Sequence, residues 1–124
     1  MKNLLTAAAL LFASATVTSA NGSALDVALE LAARGSLEQV ASAFPDEVLD
    51  KKIGYCHDLF EGAGRASVMK CLDAELRASL RSMAMDPTDA ELRECHDFFD
   101  SDILTEQCLK NNRHAGEILD SLRR

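Results

Sequence analysis

Between residues 24 and 122 apolar side chains recur every three or four positions, the period of a helix rather than a strand. "SALDVALELAARG" sets Leu25, Ala28, Leu29 and Ala32 on one face, with Gly35 as a C-terminal cap. "SLEQVASAF" repeats the pattern with Leu37, Val40, Ala41 and Phe44, and Ser36 with Gln39 forms a capping box. Pro45 opens a third helix whose first turn carries Asp46 and Glu47, where the helix dipole favours acids. Its stripe is Leu49, Ile53, Cys56 and Phe60, and "EGAG" at 61–64 ends it. A fourth helix from Arg65 to Met83 turns Val68, Cys71, Leu72, Leu76, Leu80 and Met83 inward. Pro87 and a Thr88–Glu91 capping box start a fifth, which carries Leu92, Cys95 and Phe99. "DSD" at 100–102 breaks it. The last helix runs from Ile103 to Leu122 with Leu104, Cys108, Ala115, Ile118 or Leu119, and Leu122 inward. The pattern predicts an all-α domain: two disulfide-stapled helical hairpins plus a short N-terminal helical pair.

The N-terminus reads differently. Met1-Lys2-Asn3 is followed by an apolar run from Leu4 to Phe12 and by small residues ending Thr18-Ser19-Ala20. Charge, apolar core and small-residue cleavage site make the layout of a secretory signal peptide, expected over residues 1–20. Residues 21–124 are then a single helical domain, periplasmic or secreted from a bacterial-type cell. Outside the leader no apolar run is long enough to span a bilayer.

The cysteines carry an internal repeat. Cys56-His57-Asp58-x-Phe60 recurs as Cys95-His96-Asp97-x-Phe99, 39 positions later, and Cys71-Leu72 recurs as Cys108-Leu109. Four cysteines after an export signal imply two disulfides. In each hairpin the two cysteines lie about equally far from the turn, so they face each other across antiparallel helices. The pairing expected is Cys56–Cys71 and Cys95–Cys108, each worth about 3 kcal/mol in the chain-entropy model.

A net charge of −7, with no block of bases, argues against nucleic-acid binding. The duplicated His-Asp raises a metal site, for which His57 and His96 are the candidates. Successive helix positions diverge, so a histidine and the following aspartate cannot grip one ion, and neither H-x-x-x-H nor Cys-x-x-Cys is present. No metal or other cofactor is expected. Adjacent Cys-His is no nucleophile–base pair, and no phosphate loop, Gly-x-Ser-x-Gly or redox motif occurs, so an enzyme is not expected. Phe98, Met83 and Met85 cannot all share a narrow inward stripe with Phe99 and are candidates for a partner-binding patch.

The function expected is an exported, non-catalytic protein-binding module: an inhibitor- or immunity-type partner, a chaperone-like cap or a component of an envelope complex. The alternatives are a carrier of a small apolar ligand in a helical pocket and a metal-binding protein using the duplicated His-Asp. The expected partner is another protein. Oligomeric state is not legible at this level.

Overall fold

A computed structural model describes residues 20–123, so the expected leader lies outside the described residues except for its last residue. The elements are α1 (Ala20–Arg34), α2 (Leu37–Ser42), α3 (Asp46–Leu59), α4 (Arg65–Ala84), α5 (Asp89–Cys95), a 3-10 turn (His96–Phe98) and α6 (Asp102–Leu122). No strand occurs among the described residues.

Local chemistry sets most of the boundaries. Both capping boxes form: Ser36 Oγ accepts from Gln39 N while Gln39 Oε1 accepts from Ser36 N, and Thr88 and Glu91 do the same at α5. Gly62 and Gly64 take φ of +84° and +95°, so the α3–α4 turn uses backbone that a side chain would strain. Gly35 is required for a different reason. A Cβ there would lie 2.6 Å from Leu31 Cδ1 and 2.7 Å from the Leu31 carbonyl oxygen. The carbonyls of Ala32 and Gly35, at the end of α1, accept from the Arg77 guanidinium at 3.0 and 2.8 Å.

The apolar core is built from Ala28 and Ala32 of α1, Val40 and Ala41 of α2, Phe44, Leu49 of α3, and Leu76 and Leu80 of α4. Both bridges form in the expected pairing. Cys56–Cys71 joins α3 to α4 and Cys95–Cys108 joins α5 to α6, with Cα separations of 5.7 and 5.6 Å. No free cysteine remains among the described residues. Two disulfides fit an oxidising compartment. No described helix is long and apolar enough to cross a membrane.

Several expected inward residues are not inward. Leu29 and Met83 are exposed, and α3 buries Lys52 where the stripe called for Ile53. Phe99 leaves the helix altogether: α5 stops at Cys95, and Phe99 has extended backbone (φ −124°, ψ 130°) and an exposed ring. The largest departure is α6. Its buried residues are Thr105, Glu106 and Leu109, while Leu104, Ile118, Leu119 and Leu122 are all exposed. At 3.6 residues per turn the buried face is rotated about a third of a turn from the apolar stripe. The rotation follows from partners: Arg81 and Glu91 on neighbouring helices pair with Glu106 and Arg113, and these pairs, with the Cys108 bridge, set which side of α6 faces the protein.

Candidate binding surface

A buried charge cluster positions the surface. Glu75 of α4 is only 2% exposed. Its Oε2 accepts from Ser101 Oγ at 2.7 Å, and its Oε1 accepts from Asp102 N at 2.7 Å and from Lys52 Nζ at 3.1 Å. A carboxylate therefore sits on the otherwise orphaned amides that begin α6, where the helix dipole favours negative charge. Lys52 also donates to the Asp100 carbonyl at 2.7 Å and lies 3.0 Å from Asp102 Oδ2. The Tyr55 ring centroid is 4.9 Å from the same ammonium. One cation thus serves two carboxylates. Burial opposes the Lys52 charge, but Asp102 and Glu75 outweigh it and hold the ammonium above its ordinary value. Burial dominates at Asp102 and raises its carboxyl despite Lys52, which leaves the surplus proton affinity of the cluster there.

Two clefts border this cluster, and another lies beyond Phe60. Tyr55, Leu59, Phe60, Cys71, Ile103 and Leu104 form an apolar cleft of about 420 Å³ between the α3–α4 hairpin and the start of α6, with Glu75 and Ser101 at its base. On the other side of Phe60, Ile53, His57, Val68, Met69 and Leu72 line a second apolar cleft of about 510 Å³. Ile53, Leu59, Phe60, Met69, Ile103 and Leu104 are all exposed on these two clefts, a larger grouping of apolar side chains than scattered surface residues give. The third cleft, about 510 Å³, is more polar and is lined by Lys51, Lys52, Tyr55, His96, Phe99 and Asp102.

The two copies of the duplicated motif are separated by this arrangement. His57 lines one cleft and His96 another. Each imidazole is exposed and meets its own neighbour, His57 Nδ1 at 3.9 Å from Asp58 and His96 Nδ1 at 3.6 Å from Asp97. No group of three potential ligands that could hold a metal ion occurs among the described residues. The phenylalanines of the two copies follow their histidines, Phe60 into an apolar cleft and Phe99 into the polar one.

Of the expected partner-binding residues, Met83 is exposed and Met85 half-buried at the end of α4, away from the residues that line the apolar clefts. The Phe98 side chain lies outside the described residues. The residues that make the surface instead are Leu59, Phe60, Ile103 and Leu104, together with the Lys52–Glu75 pair that holds α6 against them. A signal for Lys52 and Glu75 existed: each falls within an apolar stripe, between Leu49 and Cys56 and between Leu72 and Leu76, where opposite charges can pair. Searches against family models, curated proteins and solved structures return no match.

Proposed function

We propose that the chain is an exported, non-catalytic protein-binding module whose partner docks on the apolar clefts either side of Phe60. The observation that supports this reading is the meeting of two apolar clefts at one exposed aromatic, on a hairpin stiffened by a disulfide. Large aromatics bordered by polar groups are the usual anchors of protein interfaces. A rigid hairpin also loses little conformational freedom on binding. An inhibitor- or immunity-type role, a chaperone-like role and a place in an envelope complex all use such a surface. The test is paired capture from an envelope extract with the wild-type protein and with Phe60→Glu, after circular dichroism shows equal helicity. The reading requires a species held by the wild type and lost with the variant. Capture that is indifferent to Phe60→Glu counts against it.

A second reading, carriage of a small apolar ligand, draws on the size of the clefts, about 420 and 510 Å³, which falls within the range of ligand pockets. Both are open surface grooves, which suits a protein side chain better than an enclosed lipid. Binding of an apolar fluorescent probe with saturable, one-to-one stoichiometry would favour the carrier.

A further inference from the structure

The α5–α6 hairpin contributes no residue to the apolar core of α1 to α4, and charged side chains tie it to that body. The apolar core draws every member from residues 28–80, within α1 to α4 and their connections. Leu109 is the one buried apolar side chain of α6 among the described residues, beside buried Thr105 and Glu106. Three polar ties hold the hairpin to the body. Glu75 covers the α6 N-terminus, Lys52 reaches Asp102 and the Asp100 carbonyl, and Arg81 donates twice to Glu106, at 2.7 and 3.0 Å. Within the hairpin, by contrast, the Cys95–Cys108 bridge and a second bidentate pair, Arg113 to Glu91 at 2.7 and 3.0 Å, hold α5 on α6 without using the body.

We propose that the α5–α6 hairpin is an acid-released arm: protonating Glu106, which cancels its pair with Arg81 of α4, frees the hairpin from the α1–α4 body as an intact, disulfide-closed unit, and so parts Ile103 and Leu104 from Leu59 and Phe60 and dismantles the apolar surface they form together. The proposal rests on the reading of that surface as a binding site and adds the condition under which it comes apart.

The groups around each tie give the direction. Glu106 faces Arg81 of α4 and Lys110 of its own helix, 3.4 Å away. Burial pushes its carboxyl up, but Arg81 and then Lys110 outweigh burial and hold it below the ordinary 4.5. Its contribution is therefore fully present above 4.5 and is lost as the pH falls through the lower folded value. Asp102 has the opposite sign. It faces Lys52 of α3, Glu75 of α4 and the charge of His96 on the 3-10 turn, with Lys51 lining the same cleft. Its raised carboxyl takes up a proton first, which leaves Lys52 and Glu75 as a balanced pair and the arm still closed. Opening then follows the loss of the Glu106 acceptor, which holds both Arg81 hydrogen bonds. The hairpin's own clasp is a separate pair, in which the Arg113 hydrogen bond, and then the Thr88 amide, hold Glu91 at about 2.

Hydrogen exchange of the mature protein, corrected for intrinsic rates, tests this from neutral pH down to about pH 3, above the Glu91 value. Protection in α5 and α6 should fall by roughly tenfold for each pKa unit of linkage. Protection in α1 to α4 and the far-ultraviolet helix signal should persist. Arm and body losing protection in one transition, or an arm that stays protected throughout, overturns the proposal. Arg81→Met with Glu106→Leu replaces the titrating tie by an apolar contact and should remove most of the acid response; an unchanged response counts against the tie. If that double variant does not fold, Glu106→Gln supplies the second measurement. It should raise arm exchange already at neutral pH, and no rise overturns the proposal. Exchange is read without any partner, so failure here leaves the Phe60 capture test intact, and failure of that test leaves this one intact.

Discussion

The α3–α4 hairpin and the α5–α6 hairpin carry the same repeated cysteines, yet they are stabilised by different physics. The first contributes Leu49, Leu76 and Leu80 to a continuous apolar core shared with α1 and α2. The second keeps most of its large aliphatic side chains outside and faces the body with Thr105, Glu106 and Leu109. A duplicated covalent frame therefore does not impose a duplicated packing. The bridges fix which helices are neighbours, and the side chains opposite decide which face turns in. For the first copy these are leucines and alanines. For the second they are Lys52, Glu75 and Arg81, which select polar partners.

Adjacent residues of α4 separate the two kinds of stabilisation. Glu75→Ala leaves the Lys52 ammonium half-partnered and strips the acceptor from the α6 amides, so it should cost about 3–5 kcal/mol. Leu76→Ala removes a fully buried side chain and should cost about 2–5 kcal/mol through the cavity it leaves. Denaturant unfolding gives both totals, and exchange distinguishes them. Glu75→Ala should loosen α6 first, whereas Leu76→Ala should lower protection in α1 to α4. Matching exchange patterns in the two variants would erase the distinction between core and latch.

Removing the second bridge with Cys95→Ser and Cys108→Ser comes next in size. The bridge closes a short loop, with a sequence separation of 13, for which the chain-entropy model gives about 3 kcal/mol. Its loss should fall on α5, which is short and has Cys95 as its buried residue. A drop in thermal midpoint with α5 amides left fully protected would contradict that placement.

Much of this is legible in the sequence. Helical period, the capping boxes at Ser36 and Thr88, the turn at Gly62 and Gly64 and the cysteine pairing all rest on local rules that tertiary contacts did not override. The register of α6 was not legible, for a definite reason. Periodicity scores apolar residues, so it chooses Leu104, Ile118 or Leu119, and Leu122, and it gives no weight to a glutamate whose arginine lies on another helix. The same blindness placed Ile53 rather than Lys52 in the stripe of α3. Phe99 was misread because α5 ends at Cys95, and nothing in "CHDFF" marks the switch to 3-10 and then extended backbone. The binding surface was missed with it, since it depends on α6 bringing Ile103 and Leu104 to Leu59 and Phe60.

A smaller effect concerns the clasp of the second hairpin. Glu91 is held at about 2 by the Arg113 hydrogen bond and then by the Thr88 amide, against an ordinary 4.5. Its folded value is depressed, so its stabilisation is complete above 4.5 and disappears only as the pH falls through about 2. Glu91→Gln should lower the thermal midpoint modestly at neutral pH and flatten its dependence on pH below 4.5. The pair is partly open to solvent, which keeps the effect small. A variant whose midpoint keeps the full wild-type acid slope would show that other carboxylates carry it.

The smallest expected effect is the sharpest check on the register of α6. Leu119 lies on the apolar stripe, and in a helix packed by that stripe Leu119→Ser would cost as much as a core truncation, about 2–5 kcal/mol. Here Leu119 and Leu122 are 58% and 75% exposed, beyond the last tie to α5 at Arg113. Little apolar area is withdrawn from water at either position, so Leu119→Ser should change stability by no more than about 0.5 kcal/mol. The helix itself gives little reason for a larger loss, because serine is only slightly poorer than leucine in a helix interior. Leu109→Ser, ten positions earlier on the buried face, supplies the contrast: it removes a side chain with 0% exposure and should be severely destabilising. Urea unfolding of the two variants side by side reads the difference directly. Comparable losses at Leu119 and Leu109 would mean that α6 turns its apolar stripe inward after all, and the contrast between a core-built hairpin and a charge-latched one would collapse.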